Sequence, residues 1–209
     1  MGRVRRIVLD LCGGTGAWAE WYRRNGYDVR NITLPEHNVC IYQPPRRVHG
    51  ILAAPVCRDM SFVLSEKLPR DIKSAMKVVN GCRRIIRKCK RNGGLKWWAL
   101  ENPVGHLSKY IGEPRFIFQP WEFGDPWTKR TAIWGEFELP KKTFKSWDKV
   151  KKNPKLYIRP GRGKPNMVWL HKSAIHDIPK FRKFTVEDDA GFRAITPQGF
   201  ARAFFKANP

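Results

Sequence analysis

No run of apolar residues in this sequence approaches the ~18 needed for a membrane-spanning helix, and no lipidation signal is visible, so no membrane partner is expected. Met1 to Arg6 lead straight into a strand-like run without the apolar core of a secretory signal, which makes a cytoplasmic setting the expectation. Cysteine is sparse and odd in number: Cys12, Cys40, Cys57, Cys82 and Cys89 form no CxxC pair and no Cys/His metal spacing. Free thiols, rather than a disulfide framework or a metal centre, are therefore expected, and the default role of each is that of a small buried hydrophobe. Acids are also scarce, with 18 Asp+Glu against 41 Lys+Arg and a formal charge of +23. That excess is far beyond what solubility needs and puts a polyanion first among partners, nucleic acid ahead of an anionic membrane.

The 209 residues suffice for one sizeable core with an appended module. Hydrophobic residues at 42%, with 16 Pro, 17 Gly and 12% aromatics, describe a folded chain rich in turns rather than a disordered one. The apolar run Ile7 to Leu11 breaks at Gly13-Gly14-Thr15-Gly16 and continues as a helix-like segment from Ala17 to Asn25, closed by Gly26: strand, glycine turn, helix. A second apolar run, Gly50 to Pro55, ends in a turn carrying Cys57. From Asp71 to Asn92, residues Ile72, Ala75, Met76, Val79, Cys82, Ile86 and Cys89 recur at helical spacing on one face. The opposite face carries Lys73, Lys77, Arg84, Arg87 and Lys88, read as a solvated surface in preference to a phosphate contact. Leu95 to Leu100 and Thr131 to Phe137 read as further strands. Short apolar strands alternating with helices predict an α/β sheet covered on both faces. Ligands bind such sheets at the carboxyl ends of the strands, where the glycine turn, Cys57 and Glu101 all fall.

Composition then shifts. Between Lys141 and Phe184 stand 14 Lys or Arg against only Asp148 and Asp177, a net +12 in 44 residues. Trp147, Tyr157 and Trp169 interleave with these cations, and Arg159 to Pro165, with Arg162 and Lys164, reads as a loop; the tract is either a nucleic-acid surface or a solvated insertion. Thr196-Pro197-Gln198 predicts a cap, a proline at the first helical position and a closing helix. The expected division is 1–140 as the main domain, 141–192 as a short basic module and 193–209 as a C-terminal helix packing back on the main domain.

Taken alone, Asp10-Leu11-Cys12-Gly13-Gly14-Thr15-Gly16 is a turn that lets backbone approach a ligand; it could cradle a dinucleotide, a nucleoside-like cofactor or nothing. Its neighbours in sequence order carry more. The segments Ala54-Pro55-Val56-Cys57-Arg58-Asp59-Met60-Ser61-Phe62 and Leu100-Glu101-Asn102-Pro103 follow, then Phe123-Gly124-Asp125-Pro126-Trp127-Thr128-Lys129-Arg130-Thr131, then Arg193-Ala194-Ile195-Thr196-Pro197-Gln198-Gly199-Phe200-Ala201-Arg202. In this order they resemble the DNA cytosine-carbon-5 methyltransferases, whose hallmarks are a DLFxGxGG cofactor turn, a PPCQxFS nucleophile loop, an ENV acid, a YGVPQxRxR segment and an RxLTPxExAR segment. Five partial matches cover about residues 7–140 and 193–203.

The resemblance implies a Rossmann-like fold, S-adenosyl-L-methionine as cofactor, no metal, and a covalent mechanism on DNA, with RNA as the alternative polymer because one subgroup of the family methylates tRNA. It casts Cys57 as the nucleophile at carbon 6 of a flipped cytosine, Glu101 as the acid at ring nitrogen 3, and Arg130 as a residue positioning the base. Asp10 to Gly16, Pro55, Glu36 and Asn38 become the cofactor set, with Glu36 standing for the ribose-binding acid and Asn38 for an adenine contact. Arg58, Ser61, Lys129, Arg159, Arg162 and Lys164 become the nucleic-acid set.

The chain departs from the pattern at Cys12, where an aromatic is usual, at Val56 and Arg58 in the nucleophile loop, and at Lys129, where an arginine is usual and a bidentate contact is lost. Pro209 arrives before the family's last cofactor-walling segment; a partner subunit could complete that wall, and the sequence leaves the oligomeric state open. So trimmed an enzyme, with a short and mostly cationic recognition region, suits loose specificity and a phage or mobile element. A noncatalytic nucleic-acid-binding relative is the competing class.

Overall fold

The computed structural model describes residues 5–62 and 68–209. Six strands form one sheet: β1 (Ile7–Leu11), β2 (Asp28–Ile32), β3 (Val48–Ala53), β4 (Trp97–Pro103), β5 (Phe116–Phe118) and β6 (Thr131–Glu136). Their spatial order is β2-β1-β3-β4-β6-β5. The first four pair in parallel, while β6 runs antiparallel to both β4 and β5. This mixed order, with one reversed strand inserted near an edge, is that of the Rossmann-like methyltransferase fold, and the expected α/β class holds. The reversal of β6 and the short strand β5 were not legible in the sequence, because strand direction is a property of pairing, not of local pattern.

The central strands are buried on both faces, which is why β1 and β3 read as mostly apolar runs, interrupted by Asp10 and His49. Helix α1 (Glu20–Arg24) follows the glycine turn, and α2 (Ile72–Asn92) links β3 to β4. Asp71 caps α2 by accepting a hydrogen bond from the Ser74 amide at 2.9 Å, and Gly93, at φ 73°, stops it. The apolar stripe of α2, including Val79, Cys82, Ile85 and Ile86, fills one face of the sheet together with Leu9, Ile51 and Leu100. Its polar face is less solvated than expected. Arg84 donates to the Val39 and Tyr42 carbonyls at 3.3 and 2.6 Å, and Lys88 to the Gln43 side chain at 2.6 Å, so these two cations pin the loop after β2 instead of facing water or phosphate.

The other face is aromatic. Two further short helices, α3 (Ser108–Ile111) and α4 (Asp189–Ala194), precede α5 (Gln198–Ala207), whose Phe200 stacks on Phe118 at 3.9 Å between centroids. Phe204 of α5 meets Trp18 and Trp97 edge-on. The end of α5 is tied down as well: Asn208 exchanges two hydrogen bonds with the Glu138 backbone, at 2.8 and 2.9 Å. Pro197 precedes the first turn of α5 instead of occupying it, one residue off the expectation.

The basic segment has a core of its own. Leu156, Met167, Leu170, Ile178, Phe181 and Phe184 close around Trp127, joined by Ala17, Phe192 and Ile195. It is therefore welded to the sheet domain through residues on both sides of the sequence boundaries at 140 and 192. Apart from α4 it is built of loops and short 3-10 turns.

Candidate active site

At the carboxyl end of β1 the chain curls sharply, with Cys12, Gly14 and Gly16 at φ 55°, 50° and 69°. A non-glycine residue held left-handed is uncommon and marks a constrained turn. The Cys12 thiol shares a hydrogen bond with Cys82 of α2, which lowers the pKa of Cys12 and raises that of Cys82. Asp10, next to last in β1, is fully buried, and neither carboxylate oxygen has a hydrogen-bond partner among the described residues. Directly across in the parallel register lies Asn31 of β2. Its amide donates to the Gly14 carbonyl at 2.8 Å, leaving its own oxygen unpartnered. A side chain at residue 13 would place its Cβ 2.4 Å from the Asp10 carboxyl carbon and 2.6 Å from the Asn31 oxygen, so this position has room only for glycine.

Burial pushes the Asp10 carboxyl up to about 7, against the pull of Arg23. Three unserved acceptor oxygens in one buried cradle are costly unless a ligand brings donors. A cofactor carrying an ammonium and hydroxyl groups would supply them, and S-adenosylmethionine has both.

Among the described residues no hydrogen bond or ion pair ties Glu36 or Asn38 to this cradle. Glu36 is exposed on a turn beyond β2, and the Asn38 oxygen accepts from the Cys40 amide at 2.9 Å. Asn31 stands there instead. No strand is legible at Asp28–Ile32, where Asp28, Arg30 and Asn31 are polar, and the place of Asn31 opposite Asp10 depends on register.

The second half of the site hangs on β3 and β4. Beyond β3, the Pro55 carbonyl accepts from the buried Asn102 amide at 3.1 Å, and Cys57 opens a 3-10 turn over Arg58–Met60. The His106 amide donates to the Met60 carbonyl at 2.7 Å, and Ser61 bridges to Gly105. A Cβ on Gly105 would lie 2.0 Å from that Met60 carbonyl oxygen, so the loop after β4 can seat against the Cys57 turn only as glycine. Arg70 clamps the turn from outside, donating to the Asp59 and Ser61 carbonyls at 3.0 and 2.8 Å.

These contacts bring Cys57 and Glu101 of β4 into one electrostatic neighbourhood with Lys129. Burial raises the Cys57 thiol; the Lys129 charge lowers it and the Glu101 charge raises it further. Burial likewise raises Glu101, opposed by Lys129. The Lys129 ammonium sits 3.9 Å from a Glu101 oxygen, with the two side chains only 13% and 16% exposed. It also donates to the Arg193 carbonyl at 2.9 Å, which links the C-terminal segment to the site. The neighbouring residues thus differ: Lys129 turns inward to Glu101, whereas Arg130 is exposed and accepts, through its carbonyl, from the Val104 amide at 3.0 Å.

Arg58 is exposed beside Cys57, while Ser61 is largely buried. Arg159, Arg162 and Lys164 lie on the loop of the basic segment, the Arg159 guanidinium 4.4 Å from the Trp169 ring centre and the Lys164 ammonium 5.4 Å from those of Trp121 and Trp147. Among the described residues no group of three or more His, Cys, Asp or Glu could hold a metal ion.

The charge balance around Cys57 has a measurable consequence. Lys129→Met should move the pH midpoint of Cys57 alkylation upward, because a cation that favours the thiolate is lost. Glu101→Gln should move it downward, because the opposing anion is lost. Iodoacetamide rates followed peptide by peptide by mass spectrometry read both shifts separately from the other four thiols.

No family model matches the chain, and no curated protein matches it either. Among solved structures it is similar to the Entamoeba histolytica methyltransferase EhMeth, at 10% identity and a TM-score of 0.47, covering 98% of each chain. It is also similar to the 23S rRNA methyltransferase ErmE, at 11% identity and a TM-score of 0.29, covering 99% of this chain and 93% of that one. At these scores the fold assignment rests on the sheet order itself.

Proposed function

We propose that this chain is an S-adenosylmethionine-dependent methyltransferase acting on carbon 5 of cytosine in DNA, with Cys57 as nucleophile and Glu101 as acid. One observation carries the reading: a cysteine, a carboxyl and an ammonium converge at the ends of β3 and β4, while a buried, donor-seeking cradle lies at the end of the neighbouring β1.

Carbon 5 of cytosine is a weak nucleophile until electron density is pushed into the ring. The Cys57 thiol loses its proton to water, with the Lys129 cation stabilising the resulting thiolate, and its sulfur bonds carbon 6. Glu101, held by burial toward its neutral form, donates to ring nitrogen 3 and takes up the charge displaced by the attack. Asp10, Asn31 and the backbone of residues 11–16, with Pro55 alongside, would hold S-adenosylmethionine, which would supply the methyl group for the activated carbon 5. Water then takes the carbon 5 proton, the electrons of that bond restore the ring double bond as the sulfur–carbon bond breaks, and the proton on ring nitrogen 3 returns to Glu101. The base must leave the duplex to reach a half-buried thiol, and Arg58, Arg130, Arg159, Arg162 and Lys164 are the cations available to hold the opened backbone. In this reading residues 141–192 serve as the recognition module.

Incubation with methyl-labelled S-adenosylmethionine and either DNA or RNA tests the proposal. Label should enter DNA and appear as 5-methylcytosine on nucleoside analysis. Label in RNA alone would move the substrate to that polymer, and binding of nucleic acid without transfer would leave a noncatalytic relative.

A further inference from the structure

A groove unrelated to the candidate active site crosses the aromatic-core side of the molecule. Its volume is about 1350 Å³, and five separated stretches of chain build it: α1, Phe123, residues 139–143 beyond β6, residues 179–183 of the basic segment, and α5. Helix α5 buries Phe200 and Phe204 against the sheet and turns Arg202 and Lys206 to the groove; α1 contributes Trp21 and Arg24.

Eight of the lining residues are Lys or Arg and none is Asp or Glu. Three carboxylates pair with part of this set: Glu20 with Lys183 and Arg24 (both 2.8 Å), Glu122 with Lys142 (2.7 Å) and Asp125 with Lys180 (3.3 Å). Among the described residues no carboxylate lies within ion-pair reach of Lys141, Arg182, Arg202 or Lys206. Eight cations less three anions leaves a local +5. Like charges brought together by four chain segments repel one another, and a concave surface focuses their field on whatever anion enters.

Trp21 helps to hold two of these charges in place, with the Arg24 and Arg202 guanidinium carbons 5.7 and 5.2 Å from its ring centre. The groove is larger than the roughly 300–1000 Å³ typical of small-ligand pockets, and its cations are spread over separate walls, a form suited to an extended polyanion. A lipid surface fits less well, because interfacial binding needs apolar side chains to insert and Leu139 is the one large hydrophobic in the lining that is mostly exposed.

We propose that this groove binds the phosphodiester backbone of duplex DNA flanking the target base, a second contact apart from the 159–165 loop and shared between the two ends of the basic segment and helices α1 and α5. The choice of DNA rests on the proposed function. The groove itself stands on its charge and shape.

The test is binding of a DNA duplex of about 40 base pairs in the absence of cofactor, by fluorescence anisotropy across a salt series. Arg202→Glu/Lys206→Glu should bind at least about tenfold more weakly than wild type, with a log affinity against log salt slope shallower by about 2, since each lost phosphate contact removes roughly 0.9. Lys141→Glu/Arg182→Glu, on the opposite walls, should act alike, and melting temperatures should confirm that both variants fold. Arg83→Glu/Arg87→Glu on the exposed face of α2 serves as the control for general charge. Equal weakening in that control, an unchanged slope in the groove variants, or the same loss on phosphatidylglycerol vesicles would overturn the assignment. Because no methyl group moves in this assay, a chain inactive toward DNA whose duplex affinity still falls in the groove variants would sink the catalytic reading and leave the groove standing. Full transfer with unaltered duplex binding by the variants would sink the groove alone.

Discussion

DNA containing 5-fluorocytosine should become covalently attached to the wild-type chain in the presence of S-adenosylmethionine, and Cys57→Ser should form no such adduct. Once sulfur has bonded carbon 6 and the methyl group has been added, the last step requires a proton to leave carbon 5. Fluorine cannot leave as a cation, so the sulfur–carbon bond persists and survives denaturing electrophoresis. A serine hydroxyl is a far weaker nucleophile at neutral pH and has no base in the described geometry to activate it. Loss of methyl transfer on the order of a thousandfold or more is the expected result for Cys57→Ser on normal DNA. Cys57 is half-buried and the oxygen–sulfur exchange is small, so the melting temperature should stay close to that of wild type. Equal adduct formation by both proteins would remove Cys57 from the mechanism. Adduct formation by wild type alone, combined with loss of transfer in Glu101→Gln, would support both assigned roles.

The second large effect follows from burial, which pushes the Asp10 carboxyl up to about 7 from the ordinary 3.8, because ionising it strands a charge away from water. Between these two values the folded state holds a proton that the unfolded chain has released, so folding stability falls as pH rises through this window. At full ionisation the penalty is about 4 kcal/mol, from roughly three pKa units at 1.36 kcal/mol each. Urea unfolding of the wild type between pH 4.5 and 8.5 should therefore show stability greatest at the acid end of that span, as far as this group governs it. Glu101 and Asp125 are also raised, chiefly by burial, and slope the same way. The difference between wild type and Asp10→Asn isolates Asp10 from them. The variant should lose most of the fall in stability between pH 4.5 and about 7, and an unchanged pH profile would refute the stranded carboxyl. A cationic ligand entering the cradle lowers the pKa of Asp10, so calorimetry near pH 6 in buffers of different ionisation enthalpy should detect proton release on binding S-adenosylmethionine to wild type and not to Asp10→Asn.

Local pattern was enough to find several parts of this arrangement. Four apolar residues of the five in Ile7–Leu11, followed by Gly13-Gly14-Thr15-Gly16, locate the end of β1, because a strand buried on both faces is mostly apolar and glycine takes left-handed bends without strain. Residues 71–92 show their helix through spacing, cap and terminal glycine. Cys57 and Glu101 fall where they were expected because each follows or ends such a strand, and strand ends gather on one side of a parallel sheet.

What lies across the fold was decided by tertiary structure alone. The sequence does not show that β6 reverses between β4 and β5, that Asn31 faces Asp10, or that Lys129 turns inward while Arg130 turns out. Nor does it show that Arg84 and Lys88 pin a loop, or that cations more than 100 residues apart share one groove around Trp21. The physical reason is common to all of these. Side-chain spacing along a helix or strand repeats every few residues and can be read in place, whereas register, strand direction and the neighbours of a charge are set by pairings between distant segments, whose free energy exists only once the core has closed.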